Sequence, residues 1–322
     1  MGEHSKNNYK EVRMKLITIE ERSDFYRFLK KISLFSLPFL FMLLLNYIID
    51  PYNLNRKIPS FLEKKETACF FNERLWKLNN FLQNPQPYII LGDSRSARFN
   101  AEQITNIANK DFINLSFSGA TLIEIIDTFW FITTQIKPKE LYLCINFDRF
   151  NDWQKANAVH EAITTINNPF LHYLQPQTTK IVYSLIRNTL FKKKLSQAPP
   201  VDQAAFWDIQ IAEADQGYKR FTFPFYATKQ LRVIADYCKE HTIKLFFIIF
   251  PTHIDFQKRI AIAGLQDQEK EFKLFLQSLA PVYDFDNENS FTSDKNNFDD
   301  PKHLSYNATN YVTTQIWRSQ TV

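Results

Sequence analysis

The sequence predicts an α/β protein with three layers, α/β/α, around a mostly parallel five-stranded sheet that follows one transmembrane helix. Two observations predict this fold. Short apolar segments alternate with segments of helical periodicity, and an uncharged segment, residues 32–49, precedes them all. Strands that alternate with helices form a parallel sheet covered on both faces. With 322 residues, 45% of them hydrophobic, the chain can form one such domain with a large core.

Residues 32–49 (ISLFSLPFLFMLLLNYII) are long enough to cross a hydrocarbon core of about 30 Å once. The segment is apolar on all sides, as lipid contact requires, whereas a buried core helix is the alternative interpretation. Asp50-Pro51 should end the helix, because proline disfavours helical geometry in the residue before it. Basic residues are slightly more numerous before the segment, and no small-residue cleavage site follows it. We therefore expect an uncleaved signal anchor in the inner (cytoplasmic) membrane, with residues 1–31 cytoplasmic and the domain extracytoplasmic.

Residues 50–87 contain several prolines and mixed polarity, which predicts a stalk with one short helix around Asn72 to Leu82. The α/β domain should then occupy residues 88–322. Its five strands are predicted from short apolar runs: residues 88–92 (YIILG), 112–119 (FINLSFSG), 141–147 (LYLCINF), 244–250 (KLFFIIF) and 282–285 (VYDF).

Residues 151–225 interrupt this alternation with aromatic, helical and basic pieces. We interpret them as an insertion that lies over the site. A lid, a surface for a partner and a purely structural elaboration all remain open.

Composition excludes several classes of function. The formal net charge is +5, from 39 basic and 34 acidic residues, and no long block of one sign is present. Nucleic-acid binding is therefore not expected. Three cysteines and six histidines show no metal-ligand spacing, so neither a metal site nor a cofactor is predicted.

Polar residues follow the first predicted strand, where ligands bind in open parallel sheets. Gly92-Asp93-Ser94-Arg95-Ser96 predicts a tight turn with a serine at the start of a helix. Such a turn exposes the Ser94 hydroxyl and aims backbone N–H groups at an oxygen that becomes negative during acyl transfer. An ordinary helix N-cap is the alternative interpretation of this serine.

A second cluster, Asp299-Asp300-Pro301-Lys302-His303, follows the last predicted strand. A neutral His303 could accept the serine proton, and Asp300 could orient the ring and stabilise the imidazolium. Both clusters follow strand ends at one edge of the predicted sheet. The sequence therefore predicts Ser94 as nucleophile, His303 as base and Asp300 as its partner.

These two motifs resemble the SGNH, or GDSL, hydrolase superfamily, from about residue 88 to the C-terminus. The resemblance implies a flavodoxin-like sheet and a catalytic role for Ser94, Asp300 and His303. It also implies an oxyanion hole formed by the backbone N–H groups of Ser94 and Gly119. The family's third block, GxND, is replaced here by residues 145–152 (INFDRFND). The third donor is accordingly Asn146, Asn151 or missing, because the Asp148 carboxylate cannot donate.

The arrangement of one N-terminal span, Asp50-Pro51-Tyr52 and a GDS domain resembles the envelope branch of that superfamily. Members of that branch assist alginate O-acetylation and teichoic-acid D-alanylation beside membrane-bound O-acyltransferases. The resemblance implies an envelope polysaccharide or teichoic-acid-like acceptor and a membrane-bound O-acyltransferase as partner.

Four further residues are candidates for roles at the site. Arg95 and Arg98 could contact an anionic acceptor or remain solvated on an exposed turn. His253 follows the fourth strand and could contact substrate or make a structural hydrogen bond. Ser96 is a rival nucleophile only if the turn lies elsewhere.

The sequence thus predicts a membrane-anchored serine acyltransferase or esterase that forms an acyl-enzyme on Ser94. The first alternative is an anchored esterase or lipase acting on small or lipid esters. The second is an adaptor that retains the fold, performs no chemistry and docks onto an acyltransferase through residues 151–225.

Overall fold

The computed structural model describes residues 3–55, 62–191 and 202–318, with side chains from Ser23 onward. Its strands are β1 (Tyr88–Leu91), β2 (Phe112–Asn114), β3 (Glu140–Cys144), β4 (Lys244–Ile249), β5 (Val282–Asp284), β6 (Phe298–Asp300) and β7 (His303–Leu304). Its α-helices are α1 (Glu3–Ile49), α2 (Lys65–Gln83), α3 (Ser94–Ala97), α4 (Ala101–Ala108), α5 (Leu122–Thr133), α6 (Ala158–Asn167), α7 (Pro169–Tyr173), α8 (Pro176–Phe191), α9 (Gln203–Lys219), α10 (Phe225–Glu240), α11 (Ile254–Ile262), α12 (Gln266–Leu279), α13 (Ser290–Ser293) and α14 (Tyr306–Trp317). Two short 3-10 helices cover Phe147–Arg149 and Lys295–Asn297.

Strands β1 to β5 form one parallel sheet in the order β2-β1-β3-β4-β5. This is the flavodoxin-like order, and the strand order reverses between β1 and β3. The predicted fold class is therefore confirmed, although β2 ends at Asn114 and is shorter than the predicted run. Strands β6 and β7 form a separate antiparallel hairpin after β5.

Each face of the sheet is covered by its own helical layer, because successive strand side chains point to opposite faces. On one face, Ile89 and Leu141 pack with helices α5, α10 and α12. On the other face, Ile90 and Tyr142 pack with α4 and α14, where Trp317 is fully buried. The two layers hold the carboxyl ends of the strands together at one edge.

Helix α1 ends at Ile49, as the Asp50-Pro51 step predicts. Ser23–Ile49 is long and apolar enough to cross a membrane, and only 11% of its most apolar window is buried in the protein. A buried core helix would be covered on most sides, so this exposure argues against that alternative. The helix is a candidate membrane anchor or signal sequence.

The predicted stalk is wrong, because residues 65–83 belong to the domain. Helix α2 buries Leu75, Leu78 and Phe81 in the main core, and it packs against α6 and α8. The backbone of α2 breaks at Asn72 (φ −155°, ψ 90°), and the Asn72 side chain accepts the Leu75 N–H at 3.0 Å. The short helix predicted from Asn72 is thus the second half of a longer one.

The predicted insertion, residues 151–225, divides into two parts. Helices α6, α7 and α8 pack against α1, α2 and α5. Helix α9 instead packs against α11, β6 and the 3-10 helix Phe147–Arg149, at the edge that carries the predicted site. Residues 192–201, which include the predicted basic and proline-rich pieces, lie outside the described residues.

Candidate active site

A tight turn after β1 presents Ser94. The chain passes from Leu91 through Gly92 and Asp93 into α3, which begins at Ser94. The Asp93 side chain caps this helix by accepting the Arg95 N–H at 3.0 Å. Gly92 is needed here, since a Cβ at this position would lie 2.6 Å from the Cβ of Cys144 on β3. The turn therefore approaches β3 closely and leaves Ser94 partly exposed at the sheet edge.

The β6–β7 hairpin carries the other two predicted residues. Asp300 and His303 are paired across this hairpin. The Asp300 carboxylate accepts the backbone N–H of Lys302 at 2.9 Å and that of His303 at 3.1 Å. It also lies 2.8 Å from Nδ1 of His303. The same carboxylate thus fixes both the turn and the imidazole ring.

Ser94, His303 and Asp300 form one continuous hydrogen-bonded chain. The Oγ of Ser94 lies 2.7 Å from Nε2 of His303. An ionised carboxylate only accepts hydrogen bonds, so the proton on Nδ1 faces Asp300, and Nε2 is free to accept the Ser94 proton. Burial would raise the pKa of Asp300, but the hydrogen bond and the charge of His303 outweigh it and keep the pKa below its usual value. The carboxyl group therefore stays ionised, as a partner for imidazolium must.

Two contacts fix the hairpin beside the Ser94 turn. The His253 N–H donates to the carbonyl of Pro301 at 2.9 Å. The Arg98 guanidinium, next to α3, binds the Asp299 carboxylate and the Leu304 carbonyl on either side of His303. Arg98 was a candidate for an anionic acceptor, but its side chain instead joins the end of α3 to the hairpin.

A buried ionic cluster lies directly behind the Ser94 turn. Arg95 Nη2 lies 2.5 Å from the Asp148 carboxylate and 3.5 Å from that of Asp93. Arg149 Nε donates to Asp93 at 3.1 Å. Burial would raise the pKa of Asp148, but Arg95 and Arg149 outweigh it and hold the pKa well below its usual value. Two cations and two carboxylates thus balance one another and fix the capping residue of α3.

This cluster corrects the prediction for Arg95. Its side chain is only 2% exposed, and its guanidinium is committed to Asp148 and Asp93. Arg95 therefore stabilises the turn and does not meet a substrate. Ser96 is also fully buried, where it donates to Ser116 Oγ at 2.8 Å, so it is not positioned as a nucleophile.

The structure does not favour the prediction that His253 binds substrate. His253 is 2% exposed, and its ring packs against Trp207 and Phe298. Its Nδ1 accepts the Asp255 N–H at 3.1 Å and thereby caps α11. Burial lowers the pKa of this imidazole, which favours the neutral ring. His253 therefore has the structural role that was the alternative interpretation.

Gly119 lies in the turn beyond β2, at the same sheet edge as Ser94. The Phe117 N–H donates to the Gly92 carbonyl at 3.0 Å, so the chain after β2 runs alongside the turn after β1. Gly119 lies two residues after Phe117, and Ser94 lies two residues after Gly92, so the two residues occupy equivalent places in the two turns. Gly119 has a left-handed backbone (φ +65°) and is exposed. As the first residue of α3, Ser94 has no intrahelical acceptor for its own N–H.

Asn146 donates to a neighbouring strand end, whereas the Asn151 side chain is used as an acceptor. Asn146 donates its amide to the Phe250 carbonyl at 2.7 Å and accepts the Phe250 N–H at 3.1 Å. Its side chain thus joins the ends of β3 and β4, whereas Ser94 follows β1, on the other side of β3. Asn151 Oδ1 accepts the Thr222 N–H at 3.0 Å. The predicted oxyanion role of Asn146 therefore has to be corrected to a structural one.

A cavity of about 330 Å³ lies between the 3-10 helix Phe147–Arg149 and α9. Its lining includes Lys302, which precedes His303, and Arg149, which binds Asp93, but not Ser94, Asp300 or His303 themselves. Trp153, which is 40% exposed, and Tyr218 supply aromatic surface. Burial lowers the pKa of Lys302, whose Nζ lies 3.6 Å from Glu213.

The sequence did not predict that these residues line a cavity. The aromatic and charged side chains of α9 gave no motif, because their relation to β3 depends on how the insertion folds. In the part of the chain that the structure describes, no group of three or more His, Cys, Asp or Glu could hold a metal ion.

No family model and no curated protein matches the chain. Three solved structures share about a tenth of the sequence with it. A protein of Streptococcus pneumoniae, provisionally described as platelet activating factor, matches with a TM-score of 0.38 and 10% identity, over 78% of this chain and 92% of that one. An acylhydrolase, also provisionally described, from Bacteroides fragilis matches with a TM-score of 0.35 and 10% identity, over 74% and 88%. A GDSL-like lipase from Bacteroides thetaiotaomicron matches with a TM-score of 0.36 and 10% identity, over 78% of this chain and 97% of that one.

Proposed function

We propose that this chain is a membrane-anchored serine esterase or acyltransferase of the SGNH type. The observation that carries the proposal is the chain of hydrogen bonds from Ser94 Oγ through His303 to Asp300, at 2.7 and 2.8 Å. This is the arrangement that acyl transfer through a serine requires: a nucleophile, a base in contact with it, and a carboxylate that orients the base.

The first half-reaction forms an acyl-enzyme. The Ser94 oxygen attacks the carbonyl carbon of an ester or thioester, while His303 Nε2 accepts the hydroxyl proton. The backbone N–H groups of Ser94 and Gly119 stabilise the resulting oxyanion. When the tetrahedral intermediate collapses, the bond to the leaving group breaks, and His303 returns the proton to that group.

The second half-reaction transfers the acyl group. His303 Nε2 accepts a proton from the acceptor hydroxyl, whose oxygen attacks the acyl carbon and displaces Ser94. The proton then returns to the Ser94 oxygen. With a sugar hydroxyl as acceptor the product is an acylated polysaccharide, and with water it is a free acid.

The cavity beside the site supports transfer to an envelope polysaccharide or a teichoic-acid-like polymer. Its volume of about 330 Å³ is in the range of small-ligand sites. Exposed Trp153 offers an apolar face on which a sugar ring can stack, and Gln154 and Lys302 offer polar groups for its hydroxyls.

The last part of the proposed function is the attachment of the domain to the membrane by α1. The apolar segment of α1 would hold the domain beside the inner membrane, on its extracytoplasmic side. A membrane-bound O-acyltransferase that supplies acyl groups across the bilayer would be its partner.

The adaptor hypothesis is the alternative from another class. The intact hydrogen-bonded chain favours catalysis over this hypothesis, because an adaptor has no need for an aligned base. If the protein is an adaptor, Ser94→Ala will leave polymer acylation in cells unchanged.

Product analysis tests the proposal. The full-length protein in detergent receives a short-chain ester donor with and without an uncharged oligosaccharide or an anionic one. Acylated oligosaccharide that disappears in Ser94→Ala supports transfer, whereas free acid alone supports the esterase alternative. The full chain is used because Ile49 and Tyr52, at the junction of anchor and domain, are buried in the core.

A further inference from the structure

One side of the insertion carries large apolar side chains in solvent. On α7 and its C-cap, and along α8, six of them are between 49% (Leu174) and 71% (Leu190) exposed. We call this the α7–α8 surface, defined by Phe170, Leu171, Leu174, Tyr183, Leu190 and Phe191. Exposed apolar groups of this size and number are uncommon on the water-facing side of a protein.

The last turn of α1 packs against the same two helices. The Asn46 amide donates to the Tyr173 carbonyl at 2.8 Å and to Thr179 Oγ1 at 3.0 Å. The rings of Tyr47 and Tyr173 meet edge to face, with centroids 5.4 Å apart. The end of the candidate anchor is therefore fixed to α7 and α8.

Three of the exposed apolar side chains, Phe170, Tyr183 and Leu190, lie on the sides of α7 and α8 that meet α1. Residues three, four or seven positions apart share a face of a helix. Tyr183 follows Thr179 by four residues, and Leu190 follows Tyr183 by seven. On α7, Phe170 precedes Tyr173 by three. Phe170 and Tyr183 are thus neighbours, on their own helices, of residues that contact the anchor, and Leu190 continues the face of Tyr183.

The length of the anchor sets the depth of this contact. Lys31 is the last charged residue before residues 32–49, and a helix of that length spans only about 27 Å. The hydrocarbon core is about 30 Å thick, so the whole segment is needed to cross it. Asn46 and Tyr47 consequently lie at the far boundary of the bilayer, and so do the residues that pack against them.

We propose that the α7–α8 surface lies in the lipid interface and binds the bilayer, a proposal that rests on the anchoring in the proposed function. The composition of α8 supports lipid as the occupant. Lys180 and Arg187 flank Tyr183 on the same helical face by three and four residues. Tyrosine and basic side chains next to exposed apolar side chains, as on this face of α8, are typical of membrane interfaces.

This contact fixes the domain at a set height above the membrane. A domain tied only by α1 could turn about that helix. Because α6, α7 and α8 also pack on α2 and α5, a second attachment through the α7–α8 surface holds the Ser94 edge in one orientation. The site then acts on substrates at that distance from the bilayer.

Depth-dependent quenching tests the proposal. The full-length protein carries Cys69→Ser, since the other two cysteines are buried, and one new cysteine for a bimane label. The labelled positions are Phe170 and Leu190 on the α7–α8 surface, Phe41 in the anchor, and Leu274, which is 54% exposed on α12. Each variant is placed in nanodiscs of lipid alone, with and without doxyl-labelled phospholipid. A cooperative thermal melt close to that of the wild type verifies that each variant is folded.

The proposal predicts that doxyl lipid quenches the label at Phe170 and Leu190 at least twofold, as at Phe41, and leaves Leu274 unchanged. Quenching at Phe41 without quenching at Phe170 and Leu190 would overturn the lipid contact while the anchor stands; the surface would then be free for a protein partner. Absence of quenching at Phe41 would overturn the anchor and the inference with it.

Discussion

The Ser94 Oγ and the His303 Nε2 lie 2.7 Å apart, although 209 positions separate the two residues in the chain. The parallel sheet brings them together, because β1 ends beside β3 and the β6–β7 hairpin returns to the same edge after β5. The His253 backbone and the Arg98 side chain then hold the hairpin in place.

Ser94→Ala and His303→Ala should each abolish catalysis. Loss of either group removes the nucleophile or the base, and in serine hydrolases such changes lower kcat by about 10⁶-fold. Hydrolysis of a short-chain chromogenic ester by the full-length protein measures the effect. Ser96→Ala is the matched control, because that serine is buried, and it should keep most of the activity. Equal loss in the control would indicate a folding defect.

Asp300→Asn should lower kcat by about 10⁴-fold with the structure retained. The amide still accepts the backbone N–H groups of Lys302 and His303, but it no longer stabilises imidazolium and can favour the wrong ring tautomer. Steady-state kinetics measure the fall in kcat, and a thermal melt shows whether the structure is retained. A fall of less than tenfold would mean that Asp300 does not act through His303.

Gly92→Ala should displace the Ser94 turn. The new methyl would lie 2.2 Å from Ser96 Oγ and 2.9 Å from the Cys144 carbonyl, so the turn or β3 must move. We expect lower activity and a loss of about 1–3 kcal/mol of unfolding free energy. Gly217→Ala, inside α9, is the control for stability. Its Cβ would meet only Trp153, at 4.0 Å, so it should stabilise the protein by about 0.5–1 kcal/mol.

Asp148→Asn should destabilise the protein by about 3 kcal/mol, because it leaves the buried guanidinium of Arg95 without its main partner. The loss is at the low end for a buried pair, since the Asp93 carboxylate remains 3.5 Å away. Asp215→Asn, which breaks a partly exposed pair with Arg259, is the control and should lose about 1 kcal/mol. Urea unfolding at pH 7 measures both.

The effect of Asp148→Asn should depend on pH. The pKa of this carboxyl group is lower in the folded state than in the unfolded state. Its stabilisation is therefore complete above the unfolded pKa of about 3.9 and is lost as the pH falls through the folded value. The difference between wild type and variant should be full at pH 7 and smaller at pH 3. A difference that grows on acidification would contradict the ion pair.

Trp153→Ala should lower acyl transfer to a sugar more than hydrolysis of a small ester. The indole lines the proposed acceptor cavity, whereas the ester needs only the Ser94 edge. Loss of a stacking face should raise the KM for the acceptor about tenfold, equivalent to about 1.4 kcal/mol. The ratio of acylated sugar to free acid, measured by mass spectrometry, checks this. An unchanged ratio would remove the acceptor role from this cavity.

The fold and the location of the site could be predicted because both depend on local patterns. Apolar runs stopped by glycine or proline gave the strands, and the rule that ligands lie beyond strand ends selected the turn at Ser94 and the turn at His303. The end of α1 followed from Asp50-Pro51. Each of these signals is contained within a few neighbouring residues.

The errors share a different cause, since they concern burial and contacts between distant segments. Arg95 resembled an exposed helical residue because its partner, Asp148, lies after another strand. Asn146 binds Phe250 on β4, a pairing that only the strand order explains. The helix after Asn72 has mixed polarity because α6 and α8 cover one side of it, and no local pattern indicates that those helices lie there.

Labelling by a serine-directed fluorophosphonate tests the central claim most directly, because the reaction needs an activated serine and no knowledge of the natural donor. The full-length protein is treated with the reagent, digested and examined by mass spectrometry, with His303→Ala in parallel. We expect the phosphonate on Ser94 of the wild type and none on the variant. A wild-type protein that folds but remains unlabelled, or a label on another serine, would contradict the proposed catalytic role of Ser94.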